Sequence, residues 1–362
     1  MAKVLIFENR LAHYRTEVFN ELNKQYDVTV VCSSIDTFDN IDFKVVKCDI
    51  HPLWKFNVHD SWIYRFARLF DVIVLEMNPN LLSEWILMMI PNHSYGIVTW
   101  GIGVPASYNV KYDEPSKRWA AMALKAMIKR ADASIFYSDY PREKYIKKGI
   151  DGNRLFVAHN TVFVNDNRDK IKNKKHYLFV GSLYKAKGTD ILLKAYYDAK
   201  LKVPNLPKLL IVGEGSERSQ IEEFVKKKHL EDSVHLCGAV YDEDILEKYY
   251  AEAIMCVSPN QAGLSVQKSM GYGCPFITRC DAITGGEIFD IKNGVYGIKY
   301  DKDDDLSTIL LDAAETPEKY IEMGKNAQMF YYSNRTIGHM LYDVNRAIQY
   351  ALKFRRKTFD SR

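Results

Sequence analysis

The sequence predicts an α/β protein made of two Rossmann-like β/α/β domains, each on a buried parallel sheet, and three observations predict it. The chain has 362 residues, more than one open-sheet domain ordinarily holds and comfortable for two of about 150 to 200 residues. Short apolar runs recur with helical segments between them, the pattern of βαβ units. A polar, lysine-rich stretch from Asn165 to Lys175 interrupts that alternation, and then it begins again.

In the first half the runs are Val4–Phe7, Val28–Cys32, Val72–Leu75, Gly96–Trp100, Ala133–Tyr137 and Leu155–Ala158. They are short and nearly continuous in apolar residues, as strands covered on both faces are. In the second half come Tyr177–Val180, Leu209–Val212, Val234–Cys237, Ile254–Val257 and Phe276–Thr278. The boundaries follow: a first domain over 1–165, a second over 166–336 and a terminal segment over 337–362. In that segment Met340, Leu341, Val344, Ile348 and Leu352 recur at helical spacing, which predicts a packed helix, expected to cross back to the first domain. Arg355, Arg356 and Lys357 follow it and suit a solvated helix end better than a phosphate site. Ligands of such sheets bind beyond the carboxyl ends of the strands, so the expected site is a cleft between two facing domains.

Composition sets further bounds. With 47% hydrophobic and 27% charged residues the chain is globular, neither disordered nor membrane-spanning. A net charge of +4 gives no reason to expect nucleic acid, although a local basic face can meet anionic lipid. Cys32, Cys48, Cys237, Cys256, Cys274 and Cys280 show no C-x-x-C pairing. They read as reduced structural thiols, and no metal site is expected. A strand, KVLIF, follows Met1 and Ala2 without the pattern of a secretory leader, and the apolar stretch Leu81–Ile90 is interrupted by Ser83 and Glu84. A cytoplasmic protein is therefore expected, touching membrane only with its surface.

The most informative stretch is SPNQAGLSVQKSMGYGCP, Ser258 to Pro275, directly after the strand AIMCV. Asn260, Gln261 and Gly263 supply amides and a turn, and a small-residue helix should run from about Leu264 to Tyr272. Backbone N–H groups at such a helix start can hold a diphosphate. An ordinary strand, turn and helix is the alternative.

Other strings carry a resemblance. VGSLYKAKG (Val180 to Gly188), LLIVGEG (Leu209 to Gly215) and VHLCGAV (Val234 to Val240) precede that stretch in the second half. AHYRTEVFNEL (Ala12 to Leu22), WGIG (Trp100 to Gly103) and VAHNTV (Val157 to Val162) stand in the first. In these strings and their order the chain resembles the GT-B glycosyltransferases of family 4, the glycosyl transferases group 1, which are retaining nucleotide-sugar enzymes. The resemblance implies a donor site at Gly181, Ser182, Lys185, Lys187, Gly213, Val240, Asn260, Gln261, Ala262, Gly263, Leu264, Ser265 and Lys268, with Lys187 and Asn260 closest to the chemistry. It implies a nucleotide-sugar donor, a UDP-sugar rather than a GDP-sugar, and no other cofactor.

There are departures from the family pattern. Two glutamates, eight positions apart, usually touch the donor sugar and the ribose; Asn260 and Lys268 stand in their places. Asn can still hydrogen-bond a sugar hydroxyl, whereas Lys has no acceptor for a ribose hydroxyl, so Lys268 is expected to meet a phosphate or to point to solvent. The arginine of the family's GRL string is Ser182, with Lys185 as a substitute charge, and the histidine of its WGHG string is Ile102.

The first half should choose the acceptor. Asn9, Arg10, His13, Tyr14 and Arg15 follow the first strand, where Arg10 or Arg15 can pair with an acceptor diphosphate, and Trp100 joins them. A basic helix start over a buried histidine is the alternative. SKRWAAMALKAMIKR (Ser116 to Arg130) combines Trp119, Met122 and Met127 with five basic residues, suiting it to an anionic membrane or to packing on the first sheet. The acidic runs Asp301–Asp305 and Asp242–Asp244 read as solvated helix caps, and Glu287 in TGGEIF as either a cleft-facing or a helix-start carboxylate.

The expected function is transfer of a sugar from a nucleotide diphosphate to a glycan acceptor, carried on lipid, in bacterial capsule, O-antigen or exopolysaccharide synthesis. A silent nucleotide-sugar-binding or partner protein and a nucleotide-sugar epimerase are the alternatives. A nicotinamide dehydrogenase is disfavoured, since VGEGSERS holds no complete G-x-G-x-x-G.

Overall fold

A computed structural model describes residues 1–35, 41–107, 110–166 and 173–359, with side chains through 353. Arg355, Arg356, Lys357 and the middle of the Asn165–Lys175 stretch, 167–172, thus lie outside the described side chains. The chain divides into two compact units. The first comprises Met1–Ala106, Asp113–Asn160 and Ile337–Arg362, and the second Ser107–Tyr112 with Thr161–Thr336.

The strands of the first unit are β1 (Lys3–Leu11), β2 (Asp27–Ile35), β3 (Lys44–Lys47), β4 (Ile50–Leu53), β5 (Phe56–His59), β6 (Val72–Glu76), β7 (Gly96–Gly101), β8 (Ala133–Phe136) and β9 (Leu155–Val157). Seven form a parallel sheet in the order β3-β2-β1-β6-β7-β8-β9, and β4 and β5 make a separate antiparallel hairpin. Helices α1 (His13–Asn23), α2 (Ile63–Phe66), α3 (Leu82–Met89), α4 (Arg118–Arg130) and α5 (Asp139–Lys147) connect them.

Successive side chains of a strand point to opposite faces, and β1 divides accordingly. Val4 and Ile6 join Val28, Val30, Val72 and Val98 in a core that includes α1. Leu5 and Phe7 join Ile73, Leu75 and Ile97 in a second core with Ile63, Leu87 and Met127 from α2, α3 and α4. Burial on both faces explains why these strands read as continuous apolar runs.

The second unit holds β10 (His176–Val180), β11 (Lys208–Val212), β12 (Val234–Gly238), β13 (Ala253–Val257), β14 (Gln261–Ala262), β15 (Phe276–Arg279), β16 (Ile283–Thr284) and β17 (Gly297–Tyr300). Six form a sheet ordered β12-β11-β10-β13-β15-β17, while β14 pairs only with β16. Its helices are α6 (Thr189–Lys202), α7 (Arg218–Lys227), α8 (Glu243–Ala251), α9 (Ser265–Gly271), α10 (Asp305–Glu315) and α11 (Pro317–Asn334). In both sheets the strand order reverses beside the first strand, at β1/β6 and β10/β13, the switch point where such sheets leave a crevice.

The last helix, α12 (Ile337–Phe359), belongs to the first unit. Met340, Leu341, Val344, Ala347, Ile348 and Ala351 are buried in the core that α1 shares. A Cβ on Gly96 of β7 would lie 3.1 Å from the Ala351 Cβ, so helix and strand are in close van der Waals contact there.

Candidate functional site

The carboxyl ends of β10, β11 and β13 build the site of the second unit. Gly213 (φ 150°) ends β11 so close to β10 that a Cβ would stand 1.9 Å from the Gly181 carbonyl oxygen. No other residue fits there. Beyond Gly181 and the exposed Ser182 the chain makes one 3-10 turn, Lys185–Lys187, and Gly188 (φ 73°) sends it into α6. The turn folds Lys187 back over its own strand, so that a Cβ on Gly181 would be 3.3 Å from the Lys187 Nζ.

The Lys187 ammonium has no hydrogen-bond or ion-pair partner among the described residues; its neighbour is the Tyr184 ring, with the centroid 5.6 Å away. Burial, which disfavours the charged form, lowers its pKa to about 8. Lys185, by contrast, is exposed. Tyr184 donates its hydroxyl to Gln261 Oε1 at 2.9 Å, and the Asn260 amide donates to the Lys187 carbonyl at 3.4 Å. A Cβ on Gly188 would meet the Asn260 carboxamide at 2.8 Å. The lysine turn and the strand end that carries Asn260 and Gln261 are therefore one packed unit. Ala262 is buried in β14, and Gly263, Leu264 and Ser265 lead into α9. Val240 follows β12, half-buried.

Lys268 differs from its expectation. It does not point to solvent: its Nζ lies 2.5 Å from Glu243 Oε2 and donates to the Phe163 carbonyl at 3.0 Å. Tyr272, one helical turn further on, donates to the other Glu243 oxygen. A lysine on α9 facing a carboxylate on α8 is an internal pair that the sequence, reading each helix alone, could not match. Asp242 caps α8, accepting from the amides of Asp244 and Ile245 at 2.9 and 3.2 Å. Glu287 is buried and accepts from the Gly285 amide at 2.9 Å, holding its own glycine turn at the start of a 3-10 helix.

In the first unit the acceptor candidates separate into two groups. Arg10 and His13 are exposed, and Tyr14 packs edge-on against His13 at 5.8 Å between centroids. Arg15 and Trp100 are not available in the way the sequence suggested, since they are only 5% and 6% exposed. The Arg15 guanidinium lies between the faces of Tyr14, Trp100 and Tyr137, hydrogen-bonds the Tyr137 hydroxyl and sits 3.8 Å from Glu8. It is a core cation that organises the end of β1.

The carboxylates beside it are a feature that sequence reasoning missed. The Asn9 amide donates to Glu76, the last residue of β6, and the Glu76 amide donates to Glu84 on α3 at 3.2 Å. Burial and then the Glu8 charge push the Glu76 pKa up to about 7. Burial and then Glu76 raise Glu84 well above the carboxylate range, and burial raises Glu8 against the pull of Arg15. The available signal was a single glutamate closing the apolar run VIVLE and another inside LLSEWILMMI. Among the described residues, no group of three His, Cys, Asp or Glu side chains is placed to hold a metal ion, and no helix is long and apolar enough to cross a membrane.

Two parallel-sheet units, with a lysine turn and an amide-bearing strand end at one switch point, define the GT-B class. Over 96% of its length the chain matches the structure of Alr3699/HepE from Anabaena, solved in complex with UDP, at a TM-score of 0.70 and 14% identity, covering 99% of that chain. Residues 164–330, within the second unit, match the family model of glycosyl transferases group 1. An uncharacterized glycosyltransferase of Haemophilus influenzae is 26% identical over 172 residues, 47% of this chain and 48% of that one. The alpha-monoglucosyldiacylglycerol synthase of Acholeplasma laidlawii is 22% identical over 154 residues, 42% of this chain and 38% of that one. The match thus spans about half the length of these curated relatives or less.

Proposed function

We propose that the protein is a retaining glycosyltransferase that moves a sugar from a nucleotide diphosphate, a UDP-sugar in preference to a GDP-sugar, to a lipid-linked glycan of the bacterial surface. The observation that carries this reading is Lys187: a half-buried ammonium without an anionic partner among the described residues, directed over Gly181 and joined through its backbone to Asn260. Charge grows on the diphosphate as the bond from the anomeric carbon to its oxygen breaks. Lys187, with the backbone at the start of α9, meets that charge without reorganising, and Asn260 hydrogen-bonds a sugar hydroxyl. The acceptor hydroxyl attacks from the face the diphosphate leaves, and its proton passes to the departing phosphate oxygen, so no protein base is needed.

Exposed Arg10 and His13, with Asn9 and Tyr14, would bind the acceptor, while Arg15 and Trp100 hold that strand end in place. A lipid-linked acceptor is consistent with the relative named for glucosyldiacylglycerol synthesis. It also fits α4, which buries Leu124, Met127 and Ile128 and exposes Trp119, Met122 and basic residues that would face an anionic membrane.

The Lys268–Glu243 pair favours one second reading, a protein that binds a nucleotide sugar without turning it over, because both family glutamates are absent from their usual places. The experiment is a donor screen with UDP-, GDP- and dTDP-sugars in the presence of lipid-linked acceptors, read by mass spectrometry for product and by calorimetry for binding. Product from a UDP-sugar supports transfer. Binding without product gives the second reading, and neither binding nor product rejects both. Donor conversion without an acceptor would point to epimerisation.

A further inference from the structure

The β4–β5 hairpin ends in the two-residue turn Trp54–Lys55, where Trp54 has φ 55°. That left-handed position is ordinarily filled by Asn, Asp or Gly, and a bulky residue is strained there. Trp54 is nonetheless 84% exposed, flanked by exposed Leu53 and Phe56, with the Lys55 Nζ 4.7 Å from its ring centroid. The base of the hairpin is fixed: Asn57 donates to the Asn80 carbonyl at 2.8 Å, and buried His59 bonds Ser83 of α3 at 2.6 Å. An apolar tip is thus held rigidly away from the core, where water alone would disfavour it.

The tip does not stand alone. Helices α2, α3 and α4 pack into one core on one face of the sheet, and their outer sides expose Trp62, Met89, Trp119 and Met122. Residues 50–59, 61–70 and 116–130 contain Lys55, Arg65, Arg68 and the five basic residues of the α4 segment, and no Asp or Glu, while Glu84, the acidic residue of α3, is fully buried. The two carboxylates that flank the hairpin in sequence, Asp49 and Asp60, face Lys47 at 3.5 Å and His51 at 2.8 Å. Exposed tryptophan beside unbalanced positive charge matches the interface of an anionic bilayer, where indole rings settle at the headgroups and basic side chains meet lipid phosphates.

We propose that the Leu53–Phe56 tip is a membrane-inserting finger that seats the first unit on anionic lipid. The inference rests on the reading that α4 faces such a membrane, and adds the element that enters the acyl region. It does not depend on glycosyl transfer.

The test is co-sedimentation of the full chain with vesicles of phosphatidylcholine and phosphatidylglycerol at 3:1, together with quenching of tryptophan emission by brominated acyl chains. Wild type should bind. The triple change Leu53→Ser, Trp54→Ser, Phe56→Ser should weaken binding by at least about tenfold while leaving the melting temperature unchanged or raised. Trp54→Phe should keep binding within about threefold yet lose most of the quenching, because the residue at depth no longer fluoresces. Triple-variant binding equal to wild type would overturn the finger and leave the α4 reading standing. Wild type that ignores the vesicles would overturn both. A self-associated wild type that becomes monomeric in the triple variant, without lipid, would reassign the tip to a contact between copies of this chain.

Discussion

The backbone amide of Asn260, three residues beyond β13, donates to the carbonyl of Lys187, at the end of the lysine turn, at 3.4 Å. Two residues 73 positions apart are thereby fixed in one frame, the lysine turned toward Gly181 and the carboxamide against Gly188. A sugar diphosphate bound there would meet both at once.

Lys187→Ala should lower turnover by about two to three orders of magnitude with the fold intact, equivalent to about 2.7–4 kcal/mol of transition-state stabilisation. Because burial brings the ammonium to about 8, it is charged at pH 7 and loses its charge as pH rises through that value. UDP affinity measured by calorimetry should therefore fall between pH 7 and 9 in wild type and stay flat in the alanine variant. Near-normal activity of the variant would remove Lys187 from the mechanism.

For Asn260, replacement by Ala should weaken selection of the sugar more than binding of free nucleotide, and replacement by Glu should shift donor preference. The check is the ratio of affinities for UDP and UDP-sugar. A ratio unchanged by the substitution would count against a sugar contact.

The Lys268–Glu243 pair predicts the outcome of reversing the charge at Lys268. Lys268→Glu alone sets two carboxylates together in a half-buried site and should destabilise the chain by about 2–4 kcal/mol in denaturant titration. Exchanging the pair, Lys268→Glu with Glu243→Lys, should recover most of that loss, a coupling of the kind shown by residues in contact or in one hydrogen-bond network. Additive effects would show that the pair contributes nothing.

Glu76 predicts a pH dependence of opposite sign to that of a paired surface carboxylate. Its folded pKa stands near 7 against an ordinary 4.5, so between those values the folded chain holds a proton that the unfolded chain has released. Its contribution to stability is then full below pH 4.5 and falls as pH climbs through 7. Glu76→Gln should stabilise the protein at pH 8 by about 1–3 kcal/mol and change little at pH 4.5, since the Gln oxygen still accepts from Asn9. Equal effects at both pH values would show that the carboxyl titrates no higher in the folded chain than in the unfolded one.

Replacing Lys117, Arg118, Lys125 and Lys129 by Gln should weaken binding to anionic vesicles strongly, at about 1 kcal/mol for each charge near the surface. Activity on a short soluble acceptor should survive. The wild-type binding should also shrink with added salt; salt-independent binding would mean that charge does not carry it.

Much of the fold was legible because burial on both faces leaves a simple trace. Every apolar run named from the sequence overlaps a strand, and the punctuating glycines mark the places where strands end too close together for a side chain. The helix after Gly263 runs Ser265–Gly271, within a residue of its expected ends. Legibility failed where a residue's partner lies on another element. Nothing local distinguishes Arg15, a buried cation among three aromatic rings, from exposed Arg10 five positions before it. Trp54 also escaped notice, because an exposed tryptophan and a core tryptophan have the same letter.

By itself the sequence determined the two α/β units, the lysine turn and the strand end with Asn260, since periodicity and turn chemistry are local properties. Only the tertiary structure decided that Lys268 is taken by Glu243 and that Glu8, Glu76 and Glu84 come together in one site. The reason is that pairing, desolvation and exposure depend on which surfaces meet in space, and residues such as Thr161 and Arg335, bonded in the fold though 174 positions apart, leave no sign of that in the order of the chain.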